Sequence, residues 1–410
     1  MDLWFWLVFI MIVAPTVPGS AAGTVGVNYG RLASKLPSPG EVVELVRSLG
    51  VTKVRIYDTD ATVLQAFANT SIELTVSVPN NDIPALATNI STAQNWVNSS
   101  ILLFYPQTKV TTILVGYEVL TAGQHIMPYL LTAMENIHSA LATLKIDSQV
   151  KVSTTHSLNI LNMTSPPSLC SFDHEAIVRP LLQFLSKTGA PFMVNIYTFS
   201  TFQQDKGRNF PESFALLKPT GFVVVDPISR LRYENLFLAQ LDAVYSAIDN
   251  FGFSDIQVAV SETGWPFTGK SGASVRKSRS YNQHVARLCL SGAGTPLVRD
   301  RPIEVFIYSL FNEDLQPSSL GTFGLYFTNK SRVFDFDTRT LQPSNDSYAE
   351  CLRVSLTRII IQMRLKLRHR RFEAHISISS GISFSRTSNG LRITHHQLFP
   401  AITGSRGKRS

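Results

Sequence analysis

The stretch VTTILVGYEVL, Val110 to Leu120, reads as a buried strand: every residue from Val110 to Val115 is β-branched or apolar. Its oddity is Glu118, an ionisable carboxylate at the end of that run. Strands that are apolar throughout, rather than alternating, belong to sheets covered on both faces. Comparable runs occupy 24–30, 52–58 and 72–79 before it, and 150–157, 192–199, 255–266 and 303–313 after it. Helix-like stretches lie between them. In 38–50, Ser38 is placed to cap, Pro39 to open and Gly50 to end a helix. Eight such units in about 290 residues predict a single (β/α)8 TIM barrel of class α/β; a doubly wound open sheet is the structural alternative.

A barrel of this kind carries its chemistry at the C-terminal ends of its strands. The polar residues there are Tyr29, Tyr57, Asp58, Glu118, His156, Asn195, Tyr197, Glu262, Trp265, Asn312 and Glu313. Glu118 and Glu262 end the fourth and seventh strands, on opposite sides of a barrel. Two carboxylates facing one bond are what glycoside hydrolysis requires, one to protonate the leaving oxygen and one to attack or direct water. Apolar surroundings suit Glu118 to the protonated role. Read alone, either Glu is equally an ion-pair partner for an arginine. Tyr29, Tyr57, Tyr197 and Trp265 are candidate platforms for sugar rings, with core packing as the plainer reading. His156 reads as a hydrogen-bonding wall residue rather than a base or metal ligand. No zinc spacing, phosphate loop or nucleotide fingerprint is present, so no cofactor and no metal are expected.

Charge divides the chain. Residues 351–410 hold 12 of the 37 Lys and Arg but one of the 29 Asp and Glu. Residues 1–350 are left with 25 basic and 28 acidic side chains, which gives no footprint for nucleic acid. Residues 348–410 are expected to form a basic, irregular tail; VSLTRIIIQMRLKLRHRRF within it could also form a basic amphipathic helix. The other end is apolar from Leu3 to Val13, with Ser20 and Ala22 spaced for cleavage. Residues 1–22 read as a signal peptide and 23–347 as the folded domain. As an anchor the apolar run is short of the roughly 20 residues that a span needs. Six N-x-[ST] sequons, at Asn69, Asn89, Asn98, Asn162, Asn329 and Asn345, fit a secreted glycoprotein. Three cysteines allow at most one disulfide, so stability must come from the core.

VGVNYGRLASKLPSP, VRIYDTD, LVGYEVL, VNIY, VSETGWP and LFNE occur in the order found in glycoside hydrolase family 17, which the chain resembles from about Thr24 to about Asp337. The resemblance implies a (β/α)8 barrel and retaining endo-hydrolysis of β-1,3-glucan in an open cleft. It assigns the proton donor to Glu118 and the nucleophile to Glu262. It gives substrate contacts to Tyr57, Tyr197 and Glu313. Three positions depart from the pattern. Tyr117 replaces an Asn expected to bond the sugar 2-hydroxyl, Gln316 replaces a Lys and Leu320 a Glu. The reading is therefore a secreted, monomeric cell-wall glucanase with no stable membrane anchor. Its rivals are a catalytically weak glucan-binding protein using the same cleft, and a role carried by the basic tail.

Overall fold

The computed structural model describes residues 22–317 and 321–342, and the backbone of 382–387 and 390–395. The chain divides into Met1–Gln342 and Pro343–Ser410. In the second unit, Ile382–Thr387 and Gly390–His395 pair as antiparallel strands, where the sequence suggested irregular chain. The leader before residue 22, Leu320, Asn345, Cys351 and the basic helix candidate lie outside the described residues.

The first unit is a closed barrel of eight parallel strands: β1 Thr24–Tyr29, β2 Lys53–Ile56, β3 Glu73–Val78, β4 Val110–Tyr117, β5 Lys151–Ser157, β6 Phe192–Asn195, β7 Val258–Thr263 and β8 Glu304–Ile307. Neighbours in sequence are neighbours in the wall, and β8 closes on β1 through Val25–Val305 and Val27–Ile307. The apolar runs are explained by burial on both faces; every residue of β7 is buried. Inside the barrel Leu114, Met193, Ala259 and Phe306 pack as a cluster separate from the strand–helix core. Gly26 makes room for it, since a Cβ there would strike the Phe306 ring.

The helix predicted at 38–50 spans Pro39–Ser48. Ser38 and Glu41 form a reciprocal capping box, and Gly50 takes φ 67°. After β6 the wall is interrupted by the helix Thr198–Asp205 and a two-residue hairpin, Val224–Val225 with Arg232–Tyr233, before the helix Leu236–Asn250. β6 and β8 are shorter than the apolar runs suggested, because the chain leaves the wall before Tyr197 and Tyr308. Cys170 and Cys289 are buried free thiols. Asn69, Asn89, Asn98, Asn162 and Asn329 are all exposed. Among the described residues no helix is long and apolar enough to cross a membrane.

Two register shifts position the carboxylates. Between Leu114 and Tyr117, three steps along β4 match two along β5 from Ser153 to Thr155. Between Val260 and Glu262, two steps along β7 match one along β6, from Val194 to Asn195. Each strand thus carries one extra residue immediately before its glutamate region, the geometry of a bulge that re-aims a side chain.

Candidate active site

Glu262 ends β7 as a carboxylate only 1% exposed, and four donors converge on it. Arg55 Nη1 (2.8 Å) and the Tyr57 hydroxyl (2.7 Å) donate to Oε1; the hydroxyls of Tyr197 (2.8 Å) and Tyr117 (3.2 Å) donate to Oε2. Arg55 and Tyr57 act together because residues two apart on a strand share a face. The guanidinium stacks on the Tyr57 ring, 4.6 Å from its centroid, and also donates to the Ser261 carbonyl. Asn28 braces the other side, donating to the carbonyls of Ser261 and Phe306. The ion pair that the sequence offered as an alternative for Glu262 is therefore present, but inside the cleft. All four donors point at the carboxylate, an arrangement that its ionised form satisfies. Burial, followed by the Glu262 charge, pushes the Tyr57, Tyr117 and Tyr197 phenols well up, so they remain donors.

Glu118 has a different setting. It is half-buried and left-handed at φ 47°, with Gly116 at φ 77° two residues before it. Strand alternation would send Tyr117 and Glu118 to opposite faces. The bulge and the left-handed turn aim both inward. Asn195 Nδ2 donates to Glu118 Oε1 at 2.7 Å, while Asn195 Oδ1 accepts from Ser261 Oγ at 2.8 Å. Asn195 is in register with Glu262 on the adjacent strand, so one amide ties Glu118 to the strand that carries Glu262. Burial raises the Glu118 pKa and the nearby Glu262 charge adds to this; the Asn195 hydrogen bond and the Arg55 charge oppose it. The balance favours a carboxyl that keeps its proton longer than an ordinary Glu.

Beside Glu262 lies a cleft of about 820 Å³, lined by Tyr57, Tyr117, Tyr197, Glu262, Tyr308 and Phe323 among others; Glu118 is not part of its lining and reaches the site through Asn195. Tyr197, Tyr308 and Phe323 form an edge-to-face aromatic group, Tyr308–Phe323 being 5.4 Å between centroids. Glu313 accepts from the Leu32 amide and the Tyr308 hydroxyl, and Gln316 Nε2 reaches that hydroxyl at 3.3 Å. Gly30 lets the Glu313 carboxylate come close, since a Cβ there would force that carboxylate to shift. Arg31 pairs with Asp58 and Asp60 at the same mouth.

Two expected platforms are corrected. Trp265 is 0% exposed, packed among Phe199, Phe202 and Tyr281, with its indole N–H donating to the Gly272 carbonyl. Tyr29 is 2% exposed and stands edge-on to Phe311. Neither can stack on a sugar. Strand parity explains both: Asn28 and Glu262 face the interior, so Tyr29 and Trp265, at odd separations from them, face the helices. His156 is buried and stacked on Phe192 with neither ring nitrogen hydrogen-bonded, so it is a wall residue but not a hydrogen-bonding one. Tyr117 does more than leave an amide contact unmade, since its phenol reaches Glu262 itself. The sequence reading missed Arg55, Asn28, Tyr308 and Phe323. Arg55 was readable, being a charge flanked by Val54 and Ile56, two residues before Tyr57.

A profile described as Glycosyl hydrolases family 17 matches residues 25–338. The chain belongs to glycosyl hydrolase family 17. The glucan endo-1,3-beta-glucosidase 12 of Arabidopsis thaliana is 38% identical over 359 residues, covering 85% of this chain and 66% of that protein. Glucan endo-1,3-beta-glucosidase 14 of the same plant is 37% identical over 319 residues, covering 76% of this chain and 81% of its own. The chain therefore spans 66% of the length of the first of these relatives. A solved β-1,3-glucanase and allergen of Cryptomeria japonica pollen superposes with a TM-score of 0.73 at 38% identity, covering 77% of this chain and 99% of that one. A solved plant β-glucan endohydrolase gives 0.71 at 35% identity, covering 76% and 99%. The family 17 match contains seven strands of the barrel and all but the first residue of β1, and it ends within the first unit.

Proposed function

We propose that this protein hydrolyses internal β-1,3-glucosidic bonds of a cell-wall glucan of the callose type, with retention of anomeric configuration. The observation that carries this reading is the unequal pair, one carboxyl biased toward its acid form beside one carboxylate fixed by four donors. Glu118 gives its proton to the leaving glycosidic oxygen while Glu262 attacks the anomeric carbon. Glu118, now a base, takes a proton from the water that releases the glycosyl-enzyme. Retention is favoured because both Glu262 oxygens are bound by protein donors rather than arranged to hold a water. Relatives named as glucan endo-1,3-beta-glucosidases support the β-1,3 linkage. The leader and the exposed sequons support a secreted glycoprotein of the cell wall.

The test is product analysis on a linear β-1,3-glucan with azide present. Glu262→Ala should form the α-glucosyl azide, because azide enters on the face that the nucleophile vacated. Glu118→Ala should form the β-glucosyl azide from the trapped intermediate. Identical anomers from the two variants would reject the assignment. The presence of Tyr117 on Glu262 favours a second reading, a weakly catalytic glucan-binding protein, for which the same glucan would bind without release of sugar.

A further inference from the structure

A carboxylate offers about four lone-pair directions. On Glu262 all four are met, by Arg55 and Tyr57 on Oε1 and by Tyr197 and Tyr117 on Oε2. An oxygen that is to bond an anomeric carbon needs one of them free. The donors are not equally able to yield. Arg55 is 0% exposed and tied to the Ser261 carbonyl. Tyr57 lies on the Arg55 guanidinium, and Tyr197 is held edge-on against Tyr308 and Phe323. Tyr117 makes looser contacts, its ring 5.8 Å from the same guanidinium and 6.2 Å from the Tyr57 ring; it is 39% exposed and makes the longest of the four bonds, 3.2 Å. Its backbone is clamped by Asn80, whose Oδ1 accepts from the Tyr117 amide at 2.7 Å and whose Nδ2 donates to its carbonyl at 3.1 Å. The side chain can therefore swing while the strand end, and Glu118 with it, stays in place.

We propose that Tyr117 is a displaceable gate on the nucleophile, whose phenol holds the last lone pair of Glu262 and must be pushed aside by the sugar unit that is to react. The proposal rests on the reading of Glu262 as nucleophile. With the phenol displaced, Glu262 Oε2 forms a bond to the anomeric carbon as the glycosidic C–O bond breaks, and the leaving oxygen takes the Glu118 proton. Water then attacks the same carbon, its proton goes to Glu118, and the Glu262 carboxylate is released to accept the Tyr117 hydrogen bond again. Because the gate opens before chemistry, its cost falls on binding: apparent affinity is reduced by the fraction of molecules with the gate open. A long glucan can meet that cost with contacts distant from the reacting bond, and a short one cannot. Tyr117 is thus a positioning residue that selects for chain length.

The experiment compares the parent with Tyr117→Phe, which keeps the ring and loses the donor, and Tyr117→Asn, which removes both ring and phenol. Inactivation by an epoxyalkyl β-glucoside, with the labelled residue located by mass spectrometry, reads access to the nucleophile without requiring turnover. Labelling of Glu262 should accelerate about tenfold or more in both variants. On β-1,3-glucan oligosaccharides KM should fall with kcat changed less, and short chains should gain more than long ones. Labelling no faster than the parent in both variants, or an unchanged ratio of short-chain to long-chain kcat/KM, would overturn the gate. Label on another carboxylate would remove its foundation as well. Faster labelling of Glu262 without cleavage of any β-1,3-glucan would uphold the gate and reject the substrate.

Discussion

Glu118 and Glu262 are the same residue type at the ends of two strands of one barrel, and their surroundings differ. Glu118 sits half-buried at a left-handed turn with one side-chain donor, Asn195. Glu262 is sealed in the wall with a guanidinium and three phenols. Burial acts on both. It favours the neutral form of Glu118, whose one hydrogen bond and distant cation do not offset it. Glu262 instead accepts directly from a cation and three hydroxyls. One side-chain type is thus given two different settings by the number of donors at each site.

The largest expected effect is on activity and stability together. Glu262→Ala should reduce kcat by about four orders of magnitude or more, in the manner of a lost nucleophile. It also leaves Arg55 buried without its counter-charge, a defect that costs on the order of 3–5 kcal/mol. Glu118→Ala should be similarly slow on glucan yet melt close to the parent. Comparable melting temperatures for the two variants would erase the distinction drawn here.

Smaller effects follow from thinning the donor set. Tyr57→Phe removes one charge-assisted hydrogen bond from Glu262 and should lower kcat/KM by about 10- to 100-fold. Steady-state rates on linear glucan would measure this, and an unchanged rate would make Tyr57 a wall residue. On the other side of the pair, Asn195→Ala deletes the donor that favours the charged form of Glu118. The Glu118 pKa should rise, and the alkaline limb of kcat/KM should move to higher pH. A shift to lower pH would show that Asn195 excludes solvent rather than serving as a donor.

The smallest effect is on the pH dependence of stability. The folded pKa of Glu118 is raised above its unfolded value of about 4.3. Its contribution is therefore full below that value and is lost as pH rises through the folded pKa. Denaturant titrations of the parent and Glu118→Gln across this window should differ in slope, the variant being flatter. Parallel curves would mean that Glu118 titrates as it does in the unfolded chain.

The barrel was legible because both faces of each strand are covered, so apolar runs persist without alternation. Tyr197 and Tyr308 were absorbed into strands because an aromatic residue suits a wall and a cleft rim equally. The carboxylates were legible as charges out of place, and Arg55 carried the same signal. Trp265 and Tyr29 were misplaced because being at a strand end was allowed to outweigh parity. Parity in turn gives the wrong face for one of Tyr117 and Glu118, since the extra residue in β4 is visible only once β5 is beside it. The phenol of Tyr117 on Glu262 joins residues 145 apart in the chain, a contact that no local pattern encodes.

Those extra residues in β4 and β7 make the wall a counting device. Substitutions near the cleft change what a position offers, but removal of one residue at Gly116 or Ser261 would change which residues face inward. The glutamate would remain in the sequence, in a strand still apolar enough to fold, with its carboxyl directed at the helices. Length, which varies freely in the loops of such a protein, is at these two places as much a part of the chemistry as the acids themselves.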